Sequence, residues 1–217
     1  MALPDPNTDP SDSSLQVGLD HQWGSVLEGT QDASWYFDFR TGHTFLNDRW
    51  FEMLGRQRGE LEETLQGWLD LIHPDDLPQV QADMQAHLEG RTEQFFNEHR
   101  LRTSSGAWLW VLDRGKVLER TPEGQPLVAA GTHTDITERK RTELALRASE
   151  ERFKALADLA PMGIWLSEAE RGCTYVNQAW GDLTGRHPDE GLGDGWVKAL
   201  HPDDRARSFA AWTEASA

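Results

Sequence analysis

Glu93-Gln-Phe-Phe-Asn-Glu-His-Arg-Leu-Arg102 alternates along its length: Phe95, Asn97, His99 and Leu101 share one parity, and Phe96, Glu98, Arg100 and Arg102 the other. A period of two with one wetter face is the pattern of a half-buried strand. Ser104-Ser-Gly106 follows as a hairpin turn, and Trp108–Leu118 reads as the returning strand. Pro122-Glu-Gly124 turns the chain again, and Leu127–Asp135 is the last strand.

Upstream the pattern changes. Ser34-Trp-Tyr-Phe-Asp-Phe39 alternates weakly and meets Thr41-Gly42, a strand and a turn, and His43–Leu46 is a second short strand. Asn47–Leu54 reads as a short helix, capped by Asn47 or Asp48 and closed at Gly55. Leu61–Leu71 is irregular or helical. Asp75 is placed to cap a helix running to about Leu88, with Pro78 in its first turn and Gly90 as its stop. Two strands, several helices and three strands make an α+β domain, with helices packed on an antiparallel sheet of five strands.

This pattern occurs twice. Trp68-Leu-Asp-Leu-Ile-His73-Pro74-Asp75-Asp76 returns as Trp196-Val-Lys-Ala-Leu-His201-Pro202-Asp203-Asp204. Asn47-Asp-Arg-Trp50 with Gly55-Arg56 returns as Asn177-Gln-Ala-Trp180 with Gly185-Arg186. The two blocks keep their order and nearly their separation, so the chain holds two copies of one module.

The same residues carry a resemblance. Gly131-Thr-His-Thr-Asp135-Ile136-Thr137-Glu138-Arg139-Lys140 is similar to the closing strand and exit motif of PAS domains. Asn47 with Gly55, the Trp68…His73-Pro74-Asp75-Asp76 block and the hairpin Gly106–Gly115 resemble the PAS subtype common in bacterial signalling proteins. The resemblance implies a PAS fold over about residues 23–153 and a sensory role. It implies neither a ligand nor an output.

The domain reading is a disordered acidic tail at 1–20, a first PAS module with its PAC motif at 21–137, a linker helix at 138–159 and part of a second PAS module at 160–217. Asp135 and Glu138 have the spacing of an N-cap and an N3 carboxylate, and no Gly or Pro intervenes before Pro161. In this helix Leu146, Phe153 and Ala160 fall on one heptad position, and Thr142, Ser149 and Leu156 on another three residues later. A seam this weak fits a solvated spacer helix, or, as the PAS resemblance implies, a dimeric rod able to switch between packings. The second copy stops before the equivalents of residues 90–137, which hold three of the five strands. It is therefore expected to be unstable, domain-swapped or dependent on a partner, and the chain to be the N-terminal piece of a longer protein.

Composition narrows the function. With 21 basic and 37 acidic residues the net charge is −16, which repels phosphate backbones and disfavours nucleic acid. No apolar run approaches the roughly 20 residues that span a bilayer. One cysteine excludes an internal disulfide framework. A cytoplasmic protein is expected. No phosphate loop, nucleophile elbow or zinc-protease helix is present, so these residues carry no catalytic motif. The resemblance implies a sensory input, most often to a histidine kinase, with a diguanylate cyclase or phosphodiesterase as the other output. A ligand-free scaffold for dimerisation is the alternative.

The ten tryptophans form cores or line a cavity. Candidate linings are Trp35, Phe37, Phe45, Trp50, Met53, Trp68, Ile72, Met84, Phe95, Asn97, His99, Leu101, Trp108 and Trp110. A cavity of roughly 300 Å3 or more favours a ligand-binding module over a scaffold. His73-Pro-Asp-Asp76 and its repeat read as helix capping rather than a metal site, because one histidine and two carboxylates are a poor ligand set. Among PAS cofactors, haem would have to rely on Met84, or on His87 near the helix end. Flavin photochemistry needs a cysteine that the first module lacks, and Cys173 reads as a small buried residue. No cofactor and no metal are expected.

Overall fold

The computed structural model describes residues 32–168 and 171–215. The acidic tail and the onset of order near His21 lie outside them. Within the described residues the chain packs as two units that divide after Arg141.

The first unit holds β1 (Ala33–Asp38), β2 (Thr44–Leu46), α1 (Asp48–Leu54), α2 (Leu65–Leu69), α3 (Leu77–Leu88), β3 (Phe95–Arg102), β4 (Trp108–Arg120) and β5 (Pro126–Asp135). The strands form one antiparallel sheet in the order β2-β1-β5-β4-β3. The α+β expectation holds, and each strand lies within two residues of where the alternation placed it. On β3 the inward parity is as read: Phe95, Asn97, His99 and Leu101 are all buried.

The helices cover the inward face. Asn47 caps α1 by accepting from the Trp50 backbone N–H at 3.0 Å, and Gly55 closes the helix in the left-handed region. The same Asn47 side chain accepts from Ser34 N and donates to Asp32 O, so it ties α1 to the start of β1. That arrangement points Trp50, Phe51 and Leu54 into the core, where each is at most 3% exposed.

One expectation needs correcting. Asp75 does not cap α3; the cap of this turn is His73, whose Nδ1 accepts from Asp75 N at 3.2 Å. Asp76 flanks the helix but spends its carboxylate elsewhere. It accepts from Arg100 N, Nε and Nη2 at 2.9, 2.8 and 2.7 Å. Alongside, His73 N donates to Arg100 O and Arg102 N to Leu71 O, while Ile72 bridges Leu101. The Trp68–Asp76 block thus lies along the free edge of β3 and covers it, a common protection for an edge strand.

In the second unit β6 (Trp165–Glu168) pairs with β7 (Gly172–Val176), followed by α5 (Gln178–Thr184), short 3-10 turns and α6 (Arg205–Ala215). Asn177 repeats the Asn47 knot: it accepts from Trp180 N and Ile164 N and donates to Ala157 O and Met162 O. His201 Nδ1 likewise accepts from Asp203 N. Trp165, Leu166, Leu183, Leu192 and Phe209 are exposed on this two-stranded unit. Burial raises the Cys173 thiol, and its Sγ donates to Tyr175 O.

Gly115 and Gly131 are register partners on β4 and β5, and the Trp35 ring lies across both. A Cβ on Gly131 would stand 2.5 Å from Trp35 Cζ2 and 2.1 Å from Arg114 O. Gly131→Ala is expected to cost about 2–3 kcal/mol, the scale of forced overpacking. Urea unfolding checks this, and a loss under about 0.5 kcal/mol would reject the clash with the Trp35 ring.

Candidate functional site

The inward face of the sheet carries a buried polar chain. Asp113 on β4 accepts from Trp35 Nε1 at 2.9 Å through Oδ1. Its Oδ2 lies 2.8 Å from His133 Nε2, a close contact without hydrogen-bond alignment. His133 Nδ1 accepts from Trp50 Nε1–H at 2.8 Å. Asp113 and His133 face each other directly across β4 and β5, at 2% and 3% exposure. The Trp68 ring stacks on His133, and His99 meets His133 edge-on with centroids 5.9 Å apart. His99 Nδ1 contacts Asn97 Oδ1 at 3.3 Å, and Asn97 in turn donates to Asp83 on α3.

Beside this chain lies a cavity of about 90 Å3 with almost wholly apolar walls. Six of the expected lining residues are there: Trp35, Phe37, Trp50, Trp68, Met84 and Phe95. The other expected residues lie elsewhere. Ile72 and Leu101 are filled core, while Asn97 and His99 belong to the polar chain behind the wall. Phe45 shares the Arg58 guanidinium with Phe51, and Met53 packs against the core. Trp108 and Trp110 face the other side of the sheet, because Leu101 pairs with Leu109 and so puts residues 109, 111, 113 and 115 inward. There Trp108 meets His73, and Trp110 lies under Arg100 and Lys140.

Sequence reading missed Asp113, His133 and Thr44 at this cavity, and considered His87 there only as a haem ligand. Carrying the β3 parity through the hairpin would have found Asp113. His87 has both ring nitrogens engaged: Nδ1 with Thr92, and Nε2 accepting from Val117 N. In the second unit Trp165, Trp180, Trp196 and Trp212 line a separate cavity of about 360 Å3.

His99, Asp113 and His133 bring one ligand atom each to within 4.8 Å of one another. Two imidazoles and a carboxylate are a donor set that holds transition metals. The proton arrangement does not fit. A ring that ligates through Nε2 needs an acceptor for its Nδ1–H, whereas His133 Nδ1 already accepts from Trp50 and leaves the proton of the neutral ring on Nε2.

The comparisons agree with the architecture. A PAS fold family model matches residues 43–133 and a PAS domain model matches residues 151–216. The chain belongs to the PAS family. A crystal structure of a sensory box histidine kinase/response regulator from Burkholderia thailandensis is 31% identical, covering 64% of this chain and 98% of that one at a TM-score of 0.51. The chain is 32% identical to protein y4lL of Sinorhizobium fredii, over 90% of its own length and 23% of that protein. It is also 32% identical to the two-component sensor PprA of Pseudomonas aeruginosa, over 63% of this chain and 15% of that one. The chain therefore spans less than a quarter of these curated relatives.

Burial above all, with a smaller electrostatic contribution from the neighbouring His133, pushes the His99 imidazole down to about 4. The folded pKa lies below the unfolded one, so only the unfolded state takes up the proton as pH falls from about 6.5 to about 4. Stability is full above this window and lost through it, by an amount on the order of 3 kcal/mol. Urea unfolding of His99→Gln between pH 4.5 and 7.5 is expected to show a flatter pH dependence than the parent. Equal slopes would reject the assignment.

Proposed function

We propose that the first unit is the sensory input of a longer cytoplasmic signalling protein. It senses a small ligand or partner and passes the signal through a dimeric linker helix to an output domain, a histidine kinase above all. The junction between β5 and α4 (Thr137–Asp158) carries this reading. Asp135 accepts from Thr137 N, Trp110 N donates to Thr137 Oγ1, and Ile136 N donates to Trp110 O. Glu98, on the outward parity of β3, pairs with both Arg139 and Lys140. The first turn of the helix is thus fastened to the two strands whose opposite face holds Asp113 and His99. Farther along, Leu146, Phe153 and Leu156 stand exposed at 60, 41 and 63%, on the expected heptad positions. A second copy of the same helix would cover them.

The kinase output is supported by the relatives' names, PprA as a two-component sensor and mak1 of Schizosaccharomyces pombe as a peroxide stress-activated histidine kinase. No haem, flavin or metal belongs to this reading. A 90 Å3 space takes no macrocycle, and both His87 nitrogens are occupied. No helix among the described residues is long and apolar enough to cross a membrane. A ligand-free scaffold is the second reading, favoured by a cavity well below the roughly 300 Å3 of ordinary ligand sites.

In the full-length protein with Cys173→Ser, Leu146→Cys or Phe153→Cys is expected to give a disulfide-linked dimer under mild oxidation. Monomer at both positions overturns the dimeric rod.

A further inference from the structure

The cavity of the first unit selects by what its wall lacks. Trp35, Trp50, Trp68, Phe95, Met84 and Ala129 turn carbon and sulfur toward it, and the wall is almost wholly apolar. The polar residues around it have their polar atoms occupied or sealed. Asp113 accepts from Trp35 and lies against His133, His133 Nδ1 accepts from Trp50, and both His87 nitrogens are engaged. Thr44 Oγ1 and Trp68 Nε1 are closed off inside the packing and present nothing to the space. Lys116 is exposed, on the outward parity of β4. An ordered water needs about two to four polar partners, which this wall does not supply. An ion or a hydroxyl placed here would lose its hydration and gain no partner. The wall offers dispersion instead, from aromatic faces and the polarisable thioether of Met84.

Size narrows the class further. An apolar cavity of about 150 Å3 holds benzene, which is roughly 25 Å3 for each heavy atom. At that density the 90 Å3 here is too small for benzene and holds about three or four heavy atoms. Thr64 stands exposed at the rim, so the space is within reach of solvent.

We infer that this cavity takes a small apolar molecule without hydrogen-bonding groups, no larger than about four heavy atoms. The inference rests on the reading of the first unit as a ligand-binding module and specifies its ligand class.

The test follows the methionine methyl groups of the 217-residue chain by NMR. Met84 lines the cavity, Met53 packs elsewhere against the same core, and Met162 belongs to the second unit, so a shift at Met84 alone reports binding in the cavity. The probes are cyclopropane, ethanol with the same number of heavy atoms, and benzene. Cyclopropane is expected to bind at least about fivefold tighter than ethanol, the cost of burying a hydroxyl that meets no partner. Benzene is expected to leave Met84 unmoved in the parent chain and to bind once Leu88→Ala, at a half-buried wall position, has enlarged the space. Ala129→Leu grows a side chain into the cavity and is expected to abolish the cyclopropane shift, with unchanged Met53 and Met162 methyls showing that the fold is kept; if that variant does not fold, Ala129→Val makes the same comparison with less filling. Ethanol binding as tightly as cyclopropane, or benzene binding the parent chain, in either case lost on filling at Ala129, overturns the ligand class but keeps the ligand-binding module. Absence of any shift that filling at Ala129 removes, with all three probes, overturns the ligand-binding reading itself and leaves the scaffold.

Discussion

One buried carboxylate organises the first unit. Asp113 sits at 2% exposure in the middle of β4, where an ionised group is costly unless hydrogen-bonded and paired. Its partners come from three directions: Trp35 from β1, His133 from β5, and Trp50 of α1 at one remove through His133. Satisfying that one group fixes where the helix docks and how the Trp35 ring lies. The ring in turn requires bare backbone beneath it, which explains why glycines face each other at 115 and 131. Apolar packing alone would tolerate several placements of these rings; two indole hydrogen bonds at 2.8–2.9 Å, with the close Asp113–His133 contact between them, tolerate far fewer.

The elements were legible because local rules decide them. Asn47 and Gly55 bracket a helix by cap chemistry, and the strict alternation of 95–101 reports a face without knowledge of any partner. The polar chain was not legible. It depends on register, meaning which residue of β4 stands opposite which of β3 and β5, and a shift of one residue would invert every assignment. Trp108 and Trp110 show the cost of ignoring this. Both are large and aromatic and so read as lining residues, yet the pairing of Leu101 with Leu109 places them on the outer face, where cations cover Trp110. His133 lay inside the segment that marked the exit from the module, and its proximity to Asp113 exists only once β4 and β5 are paired.

The His-Pro-Asp-Asp block shows how one motif divides its labour. In both copies the histidine turns the chain by accepting from the backbone two residues on. The final aspartate differs. Burial alone would raise Asp76, but the Arg100 side chain and backbone N–H outweigh it and hold the carboxyl below its ordinary value. Asp204 instead pairs with Arg207 one turn along its own chain, half exposed, where an ion pair is worth little. The same four residues therefore serve as a local turn in one unit and also as a clamp on the sheet edge in the other.

In the proposed relay, β3 is the element that both ends share. Its inward residues reach His133 through His99, and its outward Glu98 holds the first turn of α4. Arg139 is more than half exposed, so its pair with Glu98 alone contributes at most about 1 kcal/mol. The firmer tie is the backbone of Trp110, which donates to Thr137 and accepts from Ile136 and so holds the start of the helix to the sheet. A ligand able to displace a wall residue such as Trp68 would press on His133 and His99 first, because those are the rings it touches. Were two copies of this helix to pair, a seam interrupted by Thr142 and Ser149 would discriminate weakly between packings, and a weakly biased equilibrium is one that a small interaction energy at the sheet can shift.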